Sequence, residues 1–331
     1  MSRRIKRAFI VAALLLIISA ISGIFLGAVG ISPVSLIGDF FEDGLSKAER
    51  IFLYVRLPRV LGTMLCGASL AVSGAVIQSV LGNPIAAPNI IGVNAGAGFF
   101  TVLCLALLPG KPEVVPAAAF LGALAAVLTV SGIARKVGAS KMTLVLSGVA
   151  VSALMSAAQD TVTTLFPDVL AGFTVFRSGS VSGLTLAKLF PAWIYIFIGI
   201  AVVILLSHDM DILSLGDKTA KSLGLNVTVL RLVLLGAAAM LAGAAVSFAG
   251  IIGFVGLVVP HIVRKISGTS ENRVVIPLCV MFGSAFVNVC DIISRTIFSP
   301  YELPLGIVVS YIGAPFFIYL LIKKRGGVHG D

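Results

Sequence analysis

Charge is what this sequence has least of. Asp, Glu, Lys and Arg make up 11% of its 331 residues, whereas a water-soluble domain carries about a quarter. An ordinary soluble domain is therefore excluded, and the 58% apolar content and mean hydropathy of +1.11 point to a helical membrane protein. Cysteine is sparse too. Cys66, Cys104, Cys279 and Cys290 all fall inside apolar runs and form no C-x-x-C. Cys279 and Cys290 lie three helical turns apart, roughly 16 Å along an axis, beyond the reach of a disulfide. They read as small core residues. The three histidines, His208, His261 and His329, are isolated, so no metal-site spacing exists. No G-x-x-x-x-G-K-[ST] phosphate loop occurs either, and the chain cannot hold ATP in that way. The net charge of +10 would suit nucleic acid, but the basic residues stand in small groups beside apolar spans, where a membrane accounts for them better.

What is present is a series of apolar runs. Arg3, Arg4, Lys6 and Arg7 precede a run from Ala8 to about Ile31. A secretory signal has an apolar core of about 7–15 residues, so this longer run reads as a retained first helix. Further spans are expected at about 57–81, 90–108, 114–134, 142–166, 191–207, 228–250, 253–267, 274–298 and 305–322. Segment 253–267 is short for a full crossing and reads as partly re-entrant. With the N-terminus in the cytoplasm, the inner segments hold 16 of the 24 basic and 5 of the 14 acidic residues, and the outer ones 8 and 9. The resulting +11 inside and −1 outside predict ten spans with both ends cytoplasmic. The expected fold is all-α, one transmembrane domain over residues 1–331.

Residues 213–226, LSLGDKTAKSLGLN, form the longest polar interruption in the second half. Leu215, Thr219 and Ser222–Leu223 recur at helical spacing while Asp217, Lys218 and Lys221 take the other side. The pattern predicts a short amphipathic helix closed at Gly224, on the cytoplasmic side, able to fill a groove on a soluble partner. A plain solvated loop fits the same pattern.

Glycine and proline punctuate the apolar runs. Gly67…Gly74 in the second span echoes Gly236…Gly243 in the seventh, which runs the opposite way. Paired segments of opposite direction would mark an inverted repeat, although Ala/Gly-rich helices also resemble one another by composition alone. GNPIAAP at 82–88, GIIGFVG at 250–256 and PYELPLG at 300–306 break helices at places compatible with a water-filled pathway.

Several long motifs stand in register: RLPRVLGTMLCGASLAVSGAVIQSVLGNPIAAPNIIGV from Arg56, GDKTAKSLGL from Gly216, GIIGFVGLVVPHIVR from Gly250 and SRTIFSPYELPLGIVVSYIGAPFFIYLL from Ser294. Together they resemble the permease subunits of ABC importers for ferric siderophores, haem and vitamin B12, over about Arg56 to Leu321. The resemblance implies a ten-helix subunit of the bacterial cytoplasmic membrane, paired with a second permease subunit as a homo- or heterodimer. It implies two ATP-binding subunits inside, which hold the ATP and Mg, and a substrate-binding protein outside. The chain itself is then a transport subunit, not an enzyme, with no cofactor of its own. On the motif positions, Ser214, Gly216, Asp217, Ala220, Leu223 and Gly224 correspond to the ATPase-coupling loop. Arg56, Arg59 and Arg295 correspond to arginines that meet acidic residues of the binding protein, a task suited to a planar two-donor fork. Interfacial snorkelling competes for all three, and for Arg295 so does a local pair with Asp291.

Asn83, Pro84 and Ile85 match the family's cytoplasmic constriction, though the same residues also read as a Pro-terminated turn. Gln159, Asp160 and Arg177 are candidates to line the pathway. Many relatives carry an aromatic Trp before Gly-Ser where this chain has Phe176-Arg177, and a cation there favours an anionic cargo such as a ferric siderophore or haem propionates, or serves as a rim charge. A stand-alone ion-coupled carrier or intramembrane enzyme is the rival class. It would need ionisable groups near the midplane or a nucleophile with its base, and the acidic residues here sit at span ends.

Overall fold

The computed structural model describes residues 2–27, 46–138 and 140–325. Every apolar run expected to span is helical: α1 (Arg3–Phe25), α3 (Leu57–Leu81), α4 (Val93–Leu107), α5 (Val115–Val137), α6 (Lys141–Leu165), α8 (Leu186–Leu205), α11 (Val227–Ala249), α12 (Val255–Ser267), α13 (Asn272–Thr296) and α14 (Leu305–Arg325). Short helices join them: α2 (Lys47–Ile51), α7 (Leu170–Ser178), α9 (Ser207–Ser214) and α10 (Asp217–Ser222). Among the described residues, seven helical stretches are long and apolar enough to cross a membrane; α4 and the apolar part of α14 are shorter. The Ile31 end of the first run and the C-terminal residues beyond Arg325 lie outside the described residues.

Helix α3 is the centre. Of the apolar window that contains it 83% is buried, against 22% for α1 and α6, so those two stand at the rim. It packs against α11, α12 and α13. Lipid supplies no hydrophobic drive between helices, so close packing rests on small residues. A Cβ on Gly67 would overlap the Gly283 carbonyl oxygen of α13, and one on Gly74 the Gly256 carbonyl of α12. Gly96 and Gly122 interlock α4 with α5 in the same manner. Of the echoing pair in α11, only Gly243 is packed, against Ala123 and Phe120, while Gly236 faces open space.

Segment 253–267 is not a continuous span. Residues 250–254 run without helical structure, and only Val255–Ser267 is helical. The turn at its head uses two left-handed residues, Gly250 at φ 69° and Phe254 at φ 61°. At Gly250 a Cβ would overlap the Phe176 carbonyl oxygen, so glycine is required there on two grounds. The non-helical backbone is paired rather than left bare: Ser180 N donates to Ala249 O (2.8 Å) and Ile251 N to Phe176 O (3.0 Å). That satisfies the condition under which irregular backbone persists inside a membrane protein.

Candidate functional site

Helices α3 and α13 run antiparallel and are bonded at both ends. At one end Ser79 Oγ donates to Asn272 Oδ1 (3.2 Å), and at the other Arg59 pairs with Asp291 (2.9 Å). Twenty residues of helix separate Ser79 from Arg59, about 30 Å. The candidate residues divide between these two ends.

At the Arg59 end the guanidinium is 8% exposed and fully engaged. Its Nε and Nη2 both donate to Asp291 Oδ1, at 3.0 and 2.9 Å, and its Nη1 donates to Glu302 (2.9 Å). Asp291 is completely buried and lies 3.3 Å from Arg295 Nε as well. Helix α1 has no basic residue in its own last turn. Two arginines supply what it lacks: Arg295 Nη2 donates to Gly23 O (2.7 Å) and Arg56 Nη1 to Leu26 O (2.9 Å). Late carbonyls of a helix have no intrahelical partner and attract cations. A π turn, Phe52–Arg56, leads into α3 here.

This geometry bears on the readings left open for these residues. Arg295 does not present its fork outward: it is 1% exposed and committed to Asp291 and Gly23. Arg56 and Arg59 are also buried rather than snorkelling at a rim. Asp291, taken for an ordinary residue at a span end, is a fully buried carboxyl group. Two arginines share it, as a buried acid requires. Of the cluster, Glu302 is the member with an accessible side chain, 34% exposed.

The opposite end carries residues 213–226. The expected helix is there but shorter, Asp217–Ser222, and it follows the unforeseen α9 across Gly216 at φ 109°. Its C-terminus closes by a Schellman pair: Leu225 N donates to Ala220 O (3.1 Å) and Gly224 N to Lys221 O (3.0 Å), with Gly224 at φ 85°. Ser214 ends α9, its Oγ donating to Asp211 O (2.6 Å). Ala220, one of the motif positions, is fully buried and packs inward. Leu215 and Leu223 stand out instead, 65% and 59% exposed, beside exposed Lys218 and Lys221. Asp217 is turned back to pair with buried Arg231 of α11 at 2.8 Å.

Gly82 ends α3 in a left-handed turn at this same end. Asn83 Oδ1 accepts from Ile85 N (3.1 Å) and its carbonyl from Ala86 N (3.1 Å), so Asn83-Pro84-Ile85 is a closed turn. Ile85 projects into a cleft of about 280 Å³ that Asn94, Phe254 and Phe317 also line.

The three pathway candidates meet. Gln159, Asp160 and Arg177 line one cleft of about 390 Å³ with Phe173 and Thr174. Arg177 is also part of the wall of a second, about 700 Å³, formed by Ile251, Ile307, Ser310, Tyr311 and Ile318. Among the described residues Arg177 has no ion pair or hydrogen-bond partner. The chemistry on offer is an exposed cation shared by a mostly apolar cleft and a second one lined by Gln159, Asp160, Thr163 and Thr174.

The sequence profile of the FecCD transport family matches residues 14–323. This chain belongs to the FecCD transport family. A relative in Bacillus subtilis (strain 168), the Fe(3+)-citrate import system permease protein YfmD, is 40% identical over 305 residues, 90% of each chain. The vitamin B12 import system permease protein BtuC of Vibrio vulnificus (strain CMCP6) is 37% identical, covering 95% of this chain and 92% of its own. Among solved structures, a transporter described as of metal-chelate ABC type, in an inward-facing conformation, superposes with a TM-score of 0.84 at 28% identity, over 96% of this chain and 99% of that one. Membership places this family member among multi-pass transport permeases.

Proposed function

We propose that this FecCD family member carries a ferric chelate across the bacterial cytoplasmic membrane, driven by ATP that two partner subunits hydrolyse. Arg177 carries the cargo reading: an uncommitted cation at the meeting of two clefts suits an anionic chelate, and the Fe(3+)-citrate permease relative matches 90% of the chain. Gln159 and Asp160 share that wall. The chain crosses the membrane ten times with both ends in the cytoplasm, its halves related as an inverted repeat, and it works as a dimer with a second permease subunit. The unwound 250–254 lead lets the 13-residue α12 complete a crossing that its helix alone is too short for. The acids of the cluster at Arg59 are tied to arginines at a helix end, an arrangement that suits a frame better than a stand-alone carrier.

Residues 213–226 are the ATPase seat. Leu215 and Leu223 supply the apolar contact, Lys218 and Lys221 the charge, and Gly216, Asp217 and Gly224 hold the shape. The Asn83-Pro84-Ile85 turn narrows the same cytoplasmic mouth, with Ile85 its exposed apolar tip. On the outer face the binding protein docks by exchange: one of its carboxylates replaces Glu302 on Arg59, while Asp291, Arg56 and Arg295 stay in place as the frame.

The test is ATP-dependent uptake of radiolabelled ferric citrate into proteoliposomes holding the permease, its ATPase and its binding protein. Uptake should occur, should survive Arg177→Lys and should fall sharply in Arg177→Glu. Uptake of a neutral corrinoid instead, indifferent to Arg177, would replace the ferric-chelate cargo with vitamin B12.

A further inference from the structure

The 213–226 segment is fastened to the helix bundle at a second point, by a residue outside it. Asp211 of α9 accepts, through Oδ1, both the Asn272 backbone N–H (2.8 Å) and its side-chain amide (2.7 Å). Asn272 is the first residue of α13 and is 2% exposed. Its own Oδ1 accepts from Ser79 Oγ of α3 (3.2 Å). Helix α13 takes no side-chain cap from its N-cap residue Glu271. A carboxylate from another helix fills that place, favoured by the positive end of the helix dipole. A cap supplied by residue 271 itself would stabilise α13 equally well. Taking it from α9 adds one thing only, the registration of α9 against α13.

We infer that Asp211 is a positioning residue that makes the ATPase seat respond to movement of α13, whose far end holds Asp291 of the outer cluster. The inference rests on the reading of 213–226 as that seat. Three features make α13 able to transmit. Its far end is held by Arg59 and Arg295 through Asp291. Its middle packs closely on α3 at Gly67–Gly283, backbone on backbone. Its near end is bonded to Asp211. The seat has a separate hold on α11, through Asp217 and Arg231. Gly216 lies between the two anchors in a left-handed conformation, with open space around its Cα. Any change of angle between α11 and α13 is therefore delivered to α9 and α10 on either side of Gly216.

The experiment compares Asp211→Ala and Asp211→Asn with the native protein in the full transporter in nanodiscs, using ATPase co-purification, unstimulated ATP hydrolysis and hydrolysis stimulated by the loaded binding protein. The Asn variant keeps the Oδ1 acceptor. In Asp211→Ala, stimulation should drop about tenfold while assembly and the unstimulated rate hold to within about twofold, with Asp211→Asn between it and native, as loss of one charge-assisted coupling contact predicts. Stimulation of Asp211→Ala within about twofold of native overturns the inference. So does equal loss of assembly in both variants, which would make Asp211 a residue of the fold alone. A native complex that no binding protein stimulates overturns the importer reading and this inference with it.

Discussion

The two ends of the α3–α13 pair treat charge in opposite ways. At the Arg59 end three arginines and Asp291 are buried and spend their hydrogen bonds on one another and on the carbonyls of α1. At the Asn272 end the lysines of 213–226 face outward beside exposed leucines, and one carboxylate, Asp217, turns inward to Arg231. The buried end fixes where helices stand. The open end offers a surface. A docking role is therefore easier to argue for residues 213–226 than for Arg56, Arg59 and Arg295, even though both regions were marked by long motifs.

The largest effect tests the buried end. Asp291→Ala leaves Arg59 and Arg295 without the carboxylate that neutralises them, and breaking a buried pair on one side costs about 3–5 kcal/mol. A fall in thermal stability in detergent, together with low yield of folded protein, is expected. A variant as stable as native would mean that the cluster does not hold the helices. By the same reasoning Arg59→Glu is a poor probe of docking, since the new acid would face Asp291 and Glu302 within the frame.

Next in size is Gly224→Val. The site has open space, so the cost is purely that of holding a β-branched residue at φ 85°, about 1–3 kcal/mol. It should fray the end of α10 and weaken co-purification of the ATPase about tenfold or more, leaving the stability of the helix bundle unchanged. Gly216→Val should behave alike. Normal ATPase binding in both would detach this segment from the coupling role.

How much of this was legible in the sequence follows from how local each feature is. The apolar runs, the left-handed stop at Gly224 and the break before α12 are set by neighbouring residues, and they were readable. The partners of Arg59 were not: Asp291 and Glu302 lie more than 230 residues away, and no spacing rule connects them. Arg295 was readable in part, because Asp291 is one turn back on its own helix. Helix α9 was missed because SHDMDILS carries too few apolar residues to show a period. The motif marks Ala220 without giving its face, and a six-residue helix offers less than two turns from which to judge one.

A smaller effect sharpens the contrast between the ends. Asp217→Asn removes the ion pair that residues 213–226 make with Arg231 of α11. Asp217 is 42% exposed, so the pair is partly solvated and is expected to contribute no more than about 1 kcal/mol. Stimulated ATP hydrolysis should fall by up to about fivefold, without loss of folded protein.

The smallest predicted effect is a gain. If a carboxylate of the binding protein replaces Glu302 on Arg59, the internal acid competes with docking, and Glu302→Gln should tighten the complex. Glu302 is 34% exposed and Arg59 keeps Asp291 in either case, so the frame survives the change. The competition for a half-exposed pair is worth about 0.2–1 kcal/mol, which limits the gain in affinity to about fivefold. Screening should reduce the gain as ionic strength rises, since exposed charges fade over about 8–10 Å. Both quantities are measurable by titrating binding protein onto the permease–ATPase complex in nanodiscs at two salt concentrations. Weaker binding in Glu302→Gln would mean that Glu302 itself faces the partner, as a docking acid rather than a competitor. The binding protein would then have to meet it with a cation, opposite in sign to the pairing that the RLPR motif implies.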